Sequence, residues 1–292
     1  MTVDLGLFGP GSVTWRVHEE PILMLGGIRA LFLQALHPRA IAGVVQNSDY
    51  KTDPWGRLLR TIEYVGITIY GTTAEAQQAG RRVRAIHARM RASDPVTGEQ
   101  FRIDDPELLR WVHVTEVDSY AQTARRAGLA LPDRDWDRYW DEQRRRASLG
   151  GLDPATVPGS VDQAAAYFRQ IRPRLRMTRE AADTLLFLSL PPPPWVVDAR
   201  SRQAAGWRRG WLRRLGYPPF RLAGLGVAAT ALGLLPAWAR RLYGGFGLPT
   251  TDLAASASVR ALRLVLGTLP HRVYEGPIYQ AAMARAAAVD AK

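Results

Sequence analysis

Apolar residues recur at helical spacing along nearly the whole chain, and this periodicity restricts the fold more than any other feature of the sequence. Residues 21–36 are apolar almost all round, which predicts a central buried helix. Residues 55–70 carry a broad apolar stripe, and residues 74–92 keep helical spacing among many arginines. Apart from a short hairpin expected near residues 98–103, no run alternates like a strand. The sequence therefore predicts an all-α fold.

Two further helices are predicted from their ends and their aromatic residues. Asp105-Pro106 opens one of them, because proline is favoured at the first position of a helix. Residues 133–146 form a charged, tryptophan-rich segment. Trp136 and Trp140 lie four residues apart in it, so we expect both to face inward.

A run of four prolines, Pro191 to Pro194, cannot be helical and predicts an extended connector. It could mark a boundary between residues 1–190 and 195–292. Both sides are helical, however, and a single bundle crossed by a stiff connector fits the pattern equally well. We expect one domain over residues 1–292, with the C-terminal helices of residues 195–292 following the connector.

The longest apolar run covers residues 222–235 and is 14 residues long, whereas a membrane span needs about 20. A buried helix is the expected structure. Because Arg221, Arg240 and Arg241 flank the run, a helix lying in a membrane interface is the alternative. The N-terminus lacks the pattern of a secretory signal. We therefore expect a cytoplasmic protein, with peripheral membrane contact as the alternative.

The composition excludes several kinds of site. The chain has no cysteine, which rules out thiol nucleophiles, iron–sulfur clusters and thiolate-bound haem. Its net charge is +12, and Lys51 and Lys292 are the only lysines among 39 basic residues. The arginines are spread along the chain among acidic residues instead of forming a stripe, so no nucleic-acid partner is predicted.

The histidines are the best candidates for chemistry, because no phosphate-binding loop, nucleophile elbow or zinc-protease motif occurs. His113 and Glu116 form a single pair in reversed order, whereas a di-iron site needs two Glu-x-x-His pairs. His37 and His113 remain alternative ligands for a metal. No role is assigned to His18 or His271.

His87 lies in the most informative stretch of the sequence. On a continuous helix, Arg84 and Arg91 would share its face, and two neighbouring cations disfavour protonation of the imidazole. A neutral histidine between arginines suits a metal macrocycle with acidic side groups: the imidazole binds the iron and the guanidinium groups bind the propionates. The alternative is an exposed basic helix on which His87 has no special role.

Arg57 and Thr61 form a second pair, one helical turn apart, so that a guanidinium and a hydroxyl point the same way. The alternative is a surface arginine beside a threonine that bonds to its own helix backbone.

Residues 26–159 resemble the family of haem-dependent oxygenases that includes the latex-clearing rubber oxygenases and the fungal MpaB-type oxygenase, with the core of the resemblance over about 22–160. The matching segments are GGIRAL (26–31), LHP (36–38), DPWGR (53–57), RT (60–61), VRAIH (83–87), LLRWVH (108–113), YW (139–140) and VPGS (157–160). The C-terminal segments LLP (234–236) and RRLYG (240–244) also match. The order and spacing of these segments are more specific than any one of them.

The resemblance implies an all-α, multi-helix bundle around one b-type haem, with His87 as the iron ligand. Arg84 and Arg91 fall on arginines of the family motif. Arg57 and Thr61 fall on its Arg-x-x-x-Thr pair near the haem, where they would orient oxygen or a propionate. The implied activity is that of an oxygenase acting on a hydrophobic substrate, such as an isoprenoid or another lipid, with oxidative cleavage of a C=C bond.

Two positions depart from the rubber oxygenases. Arg60 stands where they carry a lysine that can cap the iron, and a guanidinium stays protonated and cannot ligate. We therefore expect a distal site that is open, water-bound or closed by another group. The position of their catalytic carboxylate falls near the apolar Ile41, so rubber cleavage itself is not implied.

Three other functions fit the same features. The first is a haem carrier or sensor without enzymatic activity, and the second is a haem protein with peroxidase-like or electron-transfer activity; both would use His87. The third is a cofactor-free membrane-surface protein, which would depend on residues 222–235 and on the net charge.

Overall fold

Helices account for nearly all the regular structure of this chain. The computed structural model describes residues 3–193, 208–270 and 275–290. The helices before the hairpin are α1 (Val13–His18), α2 (Leu23–Ala35), α3 (Pro38–Asn47), α4 (Pro54–Tyr70) and α5 (Thr73–His87). The hairpin consists of β1 (Arg91–Ser93) and β2 (Gln100–Arg102). The helices after it are α6 (Pro106–Ala127), α7 (Asp133–Leu149), α8 (Val161–Ile171), α9 (Arg179–Ser189), α10 (Arg208–Gly233), α11 (Ala237–Leu242), α12 (Pro249–Gly267) and α13 (Pro277–Asp290). The all-α prediction is confirmed.

Side chains at the helix starts explain several of these boundaries. The Asp53 carboxylate accepts a hydrogen bond from the Gly56 amide (3.0 Å) at the start of α4. Asp105 accepts one from the Glu107 amide (2.8 Å), and Pro106 occupies the first turn of α6 as predicted. Gly128 ends α6 in the left-handed conformation (φ 98°) that glycine adopts without strain.

Helices α2 and α6 pack against each other at the centre of the main core. Phe32 and Leu33 of α2 and Trp111 of α6 are fully buried there, and a buried side chain of this size stabilises the fold by about 1.5–3 kcal/mol. The contact is close because Gly26 has no side chain: a Cβ at that position would lie 3.0 Å from the Tyr120 ring. The predicted central buried helix is therefore α2.

The packing confirms that both tryptophans of the predicted charged segment face inward. Helix α7 covers the predicted charged segment and buries Trp136 and Trp140. Helices from both sides of the proline connector contribute to the same main core, among them α2 and α6 before it and α10 and α12 after it. Pro191 to Pro193 are not helical, as expected, and Pro194 lies outside the described residues.

Helix α5 is shorter than predicted, because it ends at His87 and not near residue 92. Arg91 instead begins β1 and pairs with Arg102 across the hairpin. The turn is stabilised by Asp94, whose carboxylate accepts hydrogen bonds from the Val96 and Thr97 amides at 2.8 and 3.3 Å. The hairpin also buries Ala92 opposite Phe101. These interactions together replace the last helical turn.

The apolar run at residues 222–235 is buried only in part. Ala228 and Leu234 lie in the main core, whereas Leu222 is 68 % exposed. The prediction of a buried helix therefore holds for the second half of the run. Among the described helices, none combines the length and apolar character needed to cross a membrane.

Candidate functional site

Helices α4 and α5 form an antiparallel pair that is buried at its closed end and accessible at its open end. They are joined by residues 71 and 72, as in a helical hairpin. The buried residues of α4 are its last three, Thr68 to Tyr70, and those of α5 are Ala76 and Gly80. The open end carries Arg57 and Thr61 on α4 and His87 on α5. The geometry therefore brings the predicted site residues of both helices to the same end of the pair.

His87 is the last residue of α5 and is half-buried. Its Nδ1 atom is buried and has no hydrogen-bond partner within the described ranges. Burial lowers the pKa of His87, and the charge of Arg57 lowers it further, against a smaller opposing effect of Asp104. The imidazole is therefore held neutral, the form in which a histidine binds a metal.

Arg57 and Thr61 point the same way on α4, as predicted. Arg57 Nη1 donates a hydrogen bond to the Thr61 hydroxyl oxygen, and that hydroxyl donates to the Arg57 carbonyl oxygen (2.9 Å). The backbone bond of Thr61, which was the alternative interpretation, thus forms together with the side-chain pair. In the described part of the chain the Arg57 guanidinium bonds only to Thr61, so its other N–H groups are available to a ligand.

Arg60 is directed to two acidic side chains before and at the start of α4. Its guanidinium lies 3.1 Å from Asp49 Oδ1 and 3.1 Å from Asp53 Oδ2. Both partners are exposed carboxylates in the segment that leads into the helix. Arg60 is therefore engaged by acidic side chains, while burial lowers the pKa of Arg57 and the charge of Arg60 lowers it further.

Arg84 lies on α5 with His87 as predicted, whereas Arg91 does not. Arg84 lies one turn before His87, but its Nη1 donates to the Leu149 carbonyl oxygen at the end of α7 (2.7 Å). Arg91 does not share a helix with His87, because α5 has already ended, so the prediction of a common helix face was wrong for it. Its Nη1 donates to the carbonyl oxygens of Ala88 and Met90, at 2.9 and 2.8 Å. Arg91 therefore stabilises the turn that follows His87.

Two of the other histidines have structural partners. His37 Nδ1 accepts a hydrogen bond from the Ala40 amide (3.4 Å) and so caps α3. His18 Nε2 lies 3.2 Å from the Tyr139 hydroxyl. Burial is the main cause that lowers the pKa of His37 to about 4 and that of His18 to about 3. His271 lies outside the described residues.

A buried ion pair next to α4 was missed by the sequence analysis. Arg146 of α7 donates from Nε to the Thr68 hydroxyl (3.0 Å) and from Nη2 to Glu116 Oε1 of α6 (2.8 Å). Thr68, Glu116 and Arg146, named here the Arg146 network, therefore join three helices. One sequence signal could have revealed it: Arg57, Thr61, Tyr64 and Thr68 follow one another at intervals of four, three and four residues, so α4 has a polar face.

Comparison with known proteins identifies the family. A family model described as the catalytic domain of ER-bound oxygenase mpaB/B' and rubber oxygenase matches residues 15–268, a range that contains the α4–α5 pair and the Arg146 network. No curated protein and no solved structure gives a significant match. The chain therefore belongs to the mpaB and rubber oxygenase family and carries that family's oxygenase-related catalytic domain.

Proposed function

We propose that this chain is a haem b oxygenase in which His87 holds the iron and a hydrophobic isoprenoid or other lipid is cleaved at a C=C bond. One observation carries the proposal: a neutral imidazole, whose buried Nδ1 has no partner among the described residues, ends α5 at the open end of the α4–α5 pair. Arg57 and Thr61 lie at that same end on the facing helix.

The residues present fit a haem. An iron porphyrin needs a neutral imidazole as its protein ligand and cationic side chains for its propionates. Among the described residues, Arg57, Arg84 and Arg91 each bond through Nη1 alone; the partner of Arg57 is the Thr61 side chain, whereas Arg84 and Arg91 bond to backbone carbonyl oxygens. We therefore assign His87 to the iron and Arg57 to the haem periphery or to a small ligand beside Thr61.

The protein groups define the chemistry that such a site can support. A haem bound through one neutral imidazole supplies an iron that reacts with oxygen without the strong electron donation of a thiolate, which suits attack on an alkene better than on an unactivated C–H bond. Thr61 and Arg57 supply a hydroxyl and a guanidinium that can orient a small polar ligand. Arg60 is paired with Asp49 and Asp53 and, as an arginine, would not serve as an iron ligand.

The visible spectrum of the purified protein tests the proposal. Protein from cells supplied with iron and 5-aminolevulinate should show a Soret band at about one haem per chain. A colourless product that is folded and monodisperse would refute the proposal. Oxygen uptake with an alkene, and carbonyl products from it, would separate an oxygenase from a carrier, which should instead pass its haem rapidly to apomyoglobin. A reaction that needs peroxide in place of oxygen would indicate a peroxidase-like protein.

Arg57→Ala should change small-ligand binding more than haem content. Removing a charged hydrogen-bond donor costs about 1.5–3 kcal/mol, so carbon monoxide or oxygen should bind about 10- to 150-fold more weakly. Haem content should stay near the wild-type value. The matched control is Arg82→Ala on the exposed side of α5, which should change neither property. Equal loss of haem in Arg57→Ala would instead assign Arg57 to a propionate.

A further inference from the structure

The outward face of helix α12 is apolar, whereas a surface helix usually places polar side chains towards the solvent. Leu253, Ala257 and Leu264 follow one another at intervals of four and seven residues, so they share this face. All three are exposed, Leu253 to 71 % and Leu264 to 72 %. The opposite face holds Ala255 and Val259, which are buried in the main core. Single exposed leucines are ordinary on a protein surface, but these form a stripe roughly 16 Å long.

Contacts on its inner side fix the direction in which α12 faces. Helix α10 packs closely on it, because a Cβ at Gly233 would lie 2.8 Å from the Ala255 Cβ. Further along, Arg263 of α12 pairs with Glu20 at 2.6 Å. The end of the apolar run at 222–235 is thus engaged by α12, and the exposed stripe belongs to α12 itself.

The segment that leads into α12 adds exposed apolar side chains at the start of the helix. Phe246 and Leu248 are 79 % and 52 % exposed, and the helix begins directly after them. Arg241 Nη1 lies against Gly247, since a Cβ on that glycine would be 2.5 Å away from it. A guanidinium group therefore lies against the backbone between two exposed apolar side chains. We name the following set the α12 surface: Phe246, Leu248, Leu253, Ala257 and Leu264.

The charges around the α12 surface are positive. Between residues 199 and 274 the sequence has twelve arginines, no lysine and a single acidic residue, Asp252. Asp252 is already paired with Arg240 at 2.8 Å. Arg241 and Arg260 are exposed and have no acidic partner in the described part of the chain, where Arg260 donates only from Nε, to a backbone carbonyl oxygen of α6 (3.2 Å). The α12 surface is therefore accompanied by two cations whose charge is not balanced by an ion pair.

Two occupants could cover such a surface: a second copy of the chain or a lipid surface. A stripe of roughly 16 Å on a helix about 10 Å wide offers on the order of 200 Å², whereas each partner of a stable protein interface buries about 800 Å². A second copy would also bring arginines against arginines, which is unfavourable. Anionic headgroups instead attract arginine, and the adjoining acyl chains accept apolar side chains. Area and charge both favour the lipid surface.

We propose that the α12 surface binds to a membrane that contains anionic lipids. Leu253 and Leu264 enter the boundary of the acyl chains, and Arg241 and Arg260 bind phosphate oxygens of the headgroups. The contact is peripheral, because α12 lies along the membrane with its buried face still packed on the protein. The inference goes beyond the proposed function and does not depend on bound haem.

Vesicle binding tests the proposal on the full chain. Vesicles of phosphatidylcholine alone are compared with vesicles that also contain about 30 % phosphatidylglycerol, which supplies the anionic headgroups. Titration of lipid, with flotation to separate bound protein, should show at least about tenfold tighter binding to the anionic vesicles at about 0.1 M salt. The preference should be lost at about 1 M salt, because the Debye length falls from about 10 Å to about 3 Å.

Two double variants separate the charged from the apolar contribution. Arg241→Gln with Arg260→Gln should weaken binding to anionic vesicles about 25-fold, because each arginine near an anionic surface contributes about fivefold. Leu253→Gln with Leu264→Gln should weaken the same binding by at least about tenfold. All four positions are exposed, and glutamine is a good helix former, so the variants should fold.

Two matched double variants elsewhere on the chain are the controls. Arg81→Gln with Arg82→Gln makes the same change in net charge at exposed positions of α5. Leu59→Gln with Leu186→Gln changes leucines that are 64 % and 62 % exposed on α4 and α9. Both controls should keep the affinity of the wild type for anionic vesicles.

The proposal is overturned if the wild type binds neither kind of vesicle or binds both equally, or if the controls lose as much affinity as the α12 variants. It is also overturned if light scattering shows a dimer that Leu253→Gln with Leu264→Gln dissociates, because a second copy would then cover the α12 surface. Haem content enters none of these outcomes. A colourless protein that binds anionic vesicles as expected would support this inference and refute the proposed function.

Discussion

His87→Ala should purify without a stoichiometric Soret band. His87 is the neutral imidazole that ends α5, and its loss removes the protein ligand assigned to the iron. Loss of a residue that only orients a metal ligand weakens metal binding about 10- to 100-fold. Loss of the ligand itself should therefore weaken haem binding by at least about 100-fold. Absorbance near 400 nm, normalised to protein concentration, measures the effect.

His37→Ala is the matched control for this result. It removes the side-chain cap of α3 and should cost about 1 kcal/mol of stability while leaving the Soret band intact. Added imidazole should partly restore the band in His87→Ala, because the cavity left by the side chain can admit it. A full-strength band in His87→Ala without added imidazole would show that another residue holds the iron.

Arg29→Met should have the largest effect on stability of any single substitution considered for this chain. Arg29 is 2 % exposed and lies 2.9 Å from Asp118 Oδ2. Its guanidinium also donates to the Ser119 hydroxyl (2.7 Å) and the Leu234 carbonyl oxygen (3.0 Å), so it links α2, α6 and the end of α10. The substitution leaves Asp118 without its partner, which costs about 3–5 kcal/mol, a large share of the 5–15 kcal/mol that typically stabilises a protein. The free energy of unfolding in urea measures this loss.

Arg125→Met provides the comparison for Arg29. Arg125 lies in the last turn of α6 and forms an exposed ion pair with Asp133 at 3.2 Å. An exposed pair contributes less than about 1 kcal/mol, so the unfolding free energy should change little. If Arg29→Met costs no more than Arg125→Met, the buried pair does not stabilise the packing of α2 on α6.

Helices whose boundaries depend on local signals could be predicted from the sequence. The apolar stripe identified α4, and the Asp105-Pro106 start identified α6, because a helix start is decided by the few residues that satisfy its first amide groups. Trp136 and Trp140 were placed correctly for a similar reason, since residues four apart share a helix face. The pairing of Arg57 with Thr61 also follows from spacing within one helix.

Features that depend on distant residues could not be predicted in this way. The end of α5 is decided by strand pairing between Arg91 and Arg102, which no local pattern reveals. Arg146 stands last in a run of three arginines, and only its three-dimensional position opposite Glu116 distinguishes it from the other two.

The burial of α4 at one end only has a mechanical consequence. Its buried residues begin at Thr68, eleven positions or roughly 16 Å along the helix from Arg57. The first turn is held separately, by the hydrogen bond from Trp55 Nε1 to the Pro192 carbonyl oxygen (2.8 Å) and by the contact of the Trp55 and Phe220 rings. A shift of Thr68 is therefore passed along the helix to Arg57 and to this second contact. Core substitutions that shift Thr68 or Arg146 should therefore alter reactivity at the proposed haem site beside Arg57, although the substituted residues contact no bound molecule.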